Sequence, residues 1–253
     1  MRHTGADART TLQKGFHEPV EKPKRFYKTV ETTPVDGGFG VLLDGRNLRT
    51  PGGVRLVLPT AALAEEIAGE WRAQGETIEM ADMHATRLAN TATGAVPNSR
   101  EATAGQVMDY AASDLLLYFA EEPQALVERQ TEQWGAVLLR AEEEARLSFV
   151  RAAGIIHQRQ PEESLERVRQ IALGLDDFGL AGLAFGAALF GSSILAIAVQ
   201  RSWITAEQAF ELSRLDEAFQ QEQWGVDAEA AERTDRLRSE AAALERWFKA
   251  LRT

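Results

Sequence analysis

Cysteine is absent from the 253 residues, which excludes disulfides, thiolate nucleophiles and cysteine metal ligands and is compatible with a reducing compartment. Histidine is scarce as well. Of the four, His3 and His17 fall near the N-terminus, and His84 and His157 stand far apart, so no pair has the spacing of a metal site. The glycine-rich run VDGGFG lacks the Lys-Ser/Thr of a phosphate loop and the strand-to-helix setting of a dinucleotide fold. Gly191-Ser192-Ser193 lacks the G-x-S-x-G pattern of a nucleophile elbow, and Ser193 reads more simply as a helix cap. No cofactor is expected. Positive charge is also in deficit: 28 Lys and Arg against 38 Asp and Glu leave a net charge of -10, which repels phosphate backbones and anionic lipid. The one basic cluster, KPKRFYK at 22–28, reads as the solvated start of a strand, so no nucleic-acid partner is expected. A secretory signal is missing from the N-terminus, and residues 1–23 read as a disordered tail on a cytoplasmic protein.

What is present divides in two. Residues 1–96 hold 12 acids and 12 bases, whereas 97–253 hold 26 acids and 16 bases, so all the net charge falls on the second part. Between Lys24 and Leu58 the segments RFYKTVET, FGVLL and VRLVLP read as strands, separated by Asp36-Gly37-Gly38, Asp44-Gly45 and Pro51-Gly52-Gly53 turns. Thr60 caps a helix whose Leu63, Ile67 and Trp71 form one apolar stripe able to cover the sheet. Beyond it the periodicity is helical. Asn98 to Glu101 resembles a capping box, Pro123 starts a helix with Leu126, Gln130, Trp134 and Leu138 on one side, and Pro161 starts another. Thr205 to Gln208 forms a second candidate box ahead of Leu212, Leu215 and Phe219, and Leu237, Ala241, Leu244, Phe248 and Leu251 mark a last helix. The fold class expected is α+β: a small antiparallel sheet domain with a covering helix at 24–96, then a larger all-helical domain at 97–253.

One long uncharged run, residues 178–200, has the length to span a bilayer. Its glycines and the Ser192-Ser193 pair favour two short buried helices meeting near Gly191, with Gly182 and Gly186 allowing close helix approach, so no stable membrane insertion is expected. Peripheral membrane attachment through this run remains a second reading.

Among the acids, Asp114 in YAASDLLLY precedes three leucines and would need Arg87 or backbone donors if buried. Asp114, Arg87 and Tyr110 form the nominal polar set of an alternative reading, an orphan small-molecule enzyme with an interdomain cleft.

The ordered succession RFYK (25–28), LLDGRNLRTP (42–51), RLANTA (87–92), YAASDLLLY (110–118) and EQWG (222–225) resembles the ATP12 family, the assembly chaperones of the F1 part of ATP synthase. The resemblance implies a protein that is not an enzyme, binds the free alpha subunit of F1 and shields its subunit interface until beta replaces it, working as a monomer. It places the family's motif positions on Arg87 and Asn90, on Tyr110 and Asp114, and on Glu222, Trp224 and Gly225. The segment LLLYFAE is more apolar than the family pattern leads one to expect.

A client-binding face needs aromatic anchors beside acids. Glu240 and Trp247 lie seven residues apart on the last helix, beside Leu237 and Leu244. Helix-to-helix packing of Trp224 and Trp247, an intramolecular partner for Glu222, and a capping role for Gly225 are the structural alternatives.

Overall fold

A computed structural model describes residues 22–154, 156–225 and 228–253. Residues 1–21 of the expected tail, with His3 and His17, lie outside the described residues; Lys22 pairs with Glu79 at 2.6 Å and the Pro23 carbonyl accepts from the Ile78 amide at 2.8 Å.

The expected α+β architecture is present. Strands β1 (Val30–Val35), β2 (Gly38–Leu43) and β3 (Arg46–Asn47) form an antiparallel sheet in that order. At the β2–β3 turn, Asp44 and Gly45 both take positive φ, 48° and 76°, as a tight hairpin of this hand requires. Asp44 is held there because its carboxylate accepts from the Lys28 and Thr29 amides at 3.0 and 2.8 Å, bonds that lower its pKa.

Two strand readings shift. Residues 24–29 run beside Thr77 instead of in the sheet, because Tyr27 is drawn inward, its hydroxyl donating to the Trp71 carbonyl at 2.6 Å. The third strand is Arg46–Asn47, which the hairpin returns directly onto β2, while the VRLVLP segment makes only isolated bridges, Arg49 with Arg55 and Phe39 with Leu58.

Helix α1 (Ala61–Arg72) covers the sheet as its stripe requires. The Thr60 hydroxyl accepts from the Leu63 amide at 3.1 Å, and Leu63, Ile67 and Trp71 are buried. Each aliphatic side chain so buried contributes about 1.5–3 kcal/mol.

The helical body comprises α2 (His84–Gly94), α3 (Arg100–Ala112), α4 (Gln124–Ala145), α5 (Glu162–Leu173), α6 (Asp177–Phe190), α7 (Ser193–Gln200), α8 (Ala206–Ser213), α9 (Leu215–Trp224) and α10 (Ala228–Leu251). A two-residue parallel pairing, β4 (Tyr118–Phe119) with β5 (Ala152–Ala153), is added to it. The uncharged run becomes α6 and α7, turned at Gly191 with φ 62°, and no helix among the described residues is long and apolar enough to cross a membrane.

Helix α6 is the hub, packed by α2, α3, α7 and α10. Its glycines set the spacing: a Cβ on Gly182 would stand 2.8 Å from Trp247 Nε1, and one on Gly186 would stand 2.9 Å from Leu244 Cδ2. Helix α2 joins the two parts, lying against α1 on one side and against α6 and α10 on the other. It starts where Glu70 of α1 accepts from the Ala85 and Thr86 amides, at 2.7 and 2.8 Å, satisfying first-turn donors that have no intrahelical acceptor.

Two capping expectations divide. Thr205 and Gln208 form the reciprocal box expected of them. Around Asn98 no side-chain cap forms, because the Ser99 hydroxyl turns back to the Ala95 carbonyl at 2.8 Å and Glu101 pairs with Arg169 instead. The helix that follows Thr205 breaks at Arg214, and near that end the Leu212 carbonyl accepts from the buried Trp134 indole at 3.0 Å.

Candidate interaction surface

Helices α2, α6 and α10 leave a cleft of about 120 Å³ where they meet. Trp247 and Leu244 of α10 and Phe185 of α6 form its apolar floor, with Leu88 of α2 opposite and Arg87 and Thr91 at the rim. The floor is rigid. Trp247 is 1% exposed, stacks on Phe178 with ring centroids 5.9 Å apart, and donates its indole N–H to the Phe178 carbonyl at 3.2 Å. Trp247 is therefore a core residue that also borders the cleft.

Charges at the cleft are largely unspent. Arg87 is exposed and donates to the Ala81 carbonyl at 3.1 Å, a neutral acceptor. The Glu240 side chain has no hydrogen-bond or ion-pair partner among the described residues, and it lies one helical turn before Ala243 and Leu244, on the same side of α10. Asn90, half-buried on α2, likewise makes no side-chain hydrogen bond among the described residues. RLANTA and the last helix, remote in sequence, thus build opposite sides of one feature.

The segment ending in EQWG forms a second, separate feature. Glu222 pairs with Arg129 of α4 through two bonds of 2.8 and 3.0 Å, and that guanidinium lies over the Phe219 ring at 5.2 Å. The pairing keeps the Glu222 carboxyl below its ordinary pKa. Gly225 ends α9 with φ 86° and donates to the Gln221 carbonyl at 2.9 Å, a capping role. Trp224, against the packing alternative, is 80% exposed.

Asp114 belongs to neither. It is fully buried, and its carboxylate accepts from the Leu116 amide at 3.2 Å and the Ile194 amide at 3.0 Å, tying the end of α3 to the start of α7. Burial pushes its pKa up to about 6, against hydrogen bonds from Ser192, Ile194, Leu116 and Ser193 that lower it. Arg87 is not its partner: backbone donors at a helix start satisfy the carboxylate without a second buried charge. Tyr110 is exposed on α3, so the polar set named for an enzyme is not assembled. Among the described residues no group of three or more His, Asp or Glu is placed to hold a metal.

Glu70 and Asp216 are structural polar residues that sequence reasoning missed, as it missed the partners of Gln130. Gln130 is buried, donates to Asp216 at 2.6 Å and accepts from the Ala120 amide at 2.7 Å, while burial raises the Asp216 pKa. Only the placement of Gln130 on an apolar helix stripe signalled that its amide would need internal partners.

Comparison with known proteins gives one answer. The ATP12 chaperone protein family matches residues 24–142. The mitochondrial protein atp12 of Schizosaccharomyces pombe is 27% identical over 228 residues, spanning 85% of this chain and 78% of its own length. The crystal structure of Atp12 from Paracoccus denitrificans is 40% identical and superposes with a TM-score of 0.85, covering 90% of this chain and 98% of that one.

Proposed function

The chain belongs to the ATP12 chaperone family, and from that membership we propose that it binds the free alpha subunit of F1 ATP synthase and shields its subunit interface until the beta subunit replaces it. A subunit awaiting ring assembly exposes an apolar contact patch that drives aggregation, and covering such a patch takes shape and charge, not chemistry. The observation that carries the reading is the α2–α6–α10 cleft, an apolar floor with an exposed Arg87 at its rim and, one turn before Leu244 on α10, a Glu240 without a side-chain partner among the described residues. A client side chain seated on the Trp247 face, with an acid toward Arg87 and a base toward Glu240, fits this arrangement. The small cleft suits exchange, since modest buried area leaves affinity low enough for replacement by the beta subunit. The net charge of -10 adds long-range steering toward a basic client surface. In this reading the protein acts as a cytoplasmic monomer.

Co-expression with the F1 alpha subunit is expected to raise the soluble yield of alpha and to give a co-purifying pair. Unchanged aggregation of alpha beside intact, folded chaperone contradicts the proposal.

A further inference from the structure

A larger cleft, of about 640 Å³, opens on the other part of the molecule, between the β2–β3 hairpin, the segment preceding β1, and α1. Its walls hold Arg46, Arg49, Asn47, Asp44, Phe26 and Trp71. The one carboxylate among these described lining residues, Asp44, is already committed to the Lys28 and Thr29 amides and the Thr29 hydroxyl. Its cations are not committed. The Arg46 side chain has no ion-pair or hydrogen-bond partner among the described residues, and Arg49 gives one N–H to the Gly53 carbonyl at 2.8 Å, a neutral acceptor. Behind them Arg25 lies over the Tyr27 ring at 4.7 Å and donates only to carbonyls, those of Tyr27, Arg72 and Gln74. Phe26 is 72% exposed, and the Trp71 indole N–H is buried with no acceptor among the described residues. Two lining guanidiniums, Arg46 and Arg49, have no carboxylate partner among the described residues, and with Asp44 the only anion of the lining they leave a local excess of positive charge beside an exposed phenyl ring, on a chain of net charge -10.

We infer that this cleft is a second docking site, which takes an extended acidic peptide segment of a protein partner, its carboxylates on Arg46 and Arg49 and an apolar side chain against Phe26. Guanidinium groups match carboxylates in planar, two-pronged geometry, and an aromatic beside them supplies the apolar contact. Nucleic acid fits less well, since the anionic Asp44 carboxylate in the cleft wall and the chain's overall charge of -10 oppose a polyanion, while a short acidic segment sets its carboxylates only on Arg46 and Arg49. The site is distinct from the α2–α6–α10 cleft, and its occupant does not depend on the client proposed there.

Fluorescence anisotropy of the full chain with a fluorescein-labelled peptide of alternating Glu and Leu or Phe tests this, alongside the same peptide with Gln for Glu and an oligothymidylate of equal length. The acidic peptide is expected to bind, to weaken with added salt, to weaken about tenfold or more in R46E/R49E, and to weaken several-fold in F26A. The Gln peptide and the oligothymidylate are expected not to compete. R46Q/R49Q, which removes charge without reversing it, gives the same direction if R46E/R49E melts early. Equal binding of the Gln peptide, indifference to both double variants, or tighter binding of the oligothymidylate overturns the inference. None of these outcomes alters rescue of the alpha subunit through Arg87 and Glu240.

Discussion

Replacing Gly182 by alanine tests how closely α10 lies on α6, the contact that builds the floor of the interaction cleft. The added Cβ would stand 2.8 Å from Trp247 Nε1 and 2.9 Å from Phe248 Cε1, closer than non-bonded atoms tolerate. Neither ring has room to yield, for both are buried and Trp247 is also stacked and hydrogen-bonded on Phe178. Overpacking of this kind costs about 1–3 kcal/mol. Alanine recovers about 1 kcal/mol over glycine inside a helix, so G182A should be destabilised by up to about 2 kcal/mol. Gly105 in α3 is the control, because a Cβ there meets nothing within 4 Å, and G105A should be stabilised by about 0.5–1 kcal/mol. The quantity to measure is the shift in urea midpoint for each variant, followed by circular dichroism at unchanged slope. G182A and G105A shifting together to higher urea would refute the close contact and with it the described floor.

Two further outcomes follow from buried and exposed extremes of the same structure. Asp114 titrates near 6 when folded and at an ordinary 3.8 when unfolded, so the folded state favours the protonated form. Its contribution is fully present below pH 3.8 and is lost as pH rises through about 6, an effect of order ~3 kcal/mol that D114N should erase from the stability difference between pH 4 and pH 7. Denaturation midpoints at the two pH values check it, and an equal pH dependence in both proteins contradicts the burial described. Trp224, by contrast, is so exposed that W224A should change stability by less than about 0.5 kcal/mol. In a W224F comparison, the missing emission should be the red-shifted, acrylamide-quenchable part, and its absence from that difference spectrum would place the indole elsewhere.

Local signals carried most of the fold and little of the cleft. Gly191 and the serines after it divided an apolar run of membrane length into two buried helices, because a left-handed turn and a serine cap are written in neighbouring residues; the cap is Ser192, however, not the Ser193 expected, whose hydroxyl donates to the Val107 carbonyl from inside α7. The Thr205 box was legible for the same reason. At Asn98 the same pattern misled, since the preceding turn at Val96–Asn98 gave Ser99 a nearer acceptor. Asp114 read correctly as a buried acid needing donors, yet beside the local Leu116 amide its donors come from residues 192–194, about eighty positions away, and only packing of α3 on α7 reveals those. The α2–α6–α10 cleft was hidden for a related reason. Arg87 looked significant, but its place beside an apolar floor that includes Leu244 and Trp247, one and two turns after Glu240, depends on how closely Gly182 and Gly186 admit α10. Trp247 read as a candidate anchor because heptad spacing aligns it with Glu240, while its ring is held in the core by stacking on and donating to Phe178 of α6.

The most direct test of the chaperone account is a pull-down of the F1 alpha subunit by the purified chain and by R87E, E240K and the double variant R87E/E240K, each first shown to keep its helicity. Binding weakened by each single reversal, with alpha rescue falling in parallel, is the result predicted. Unaltered capture of alpha by the folded double variant would mean that the cleft between α2, α6 and α10 is not where the client sits.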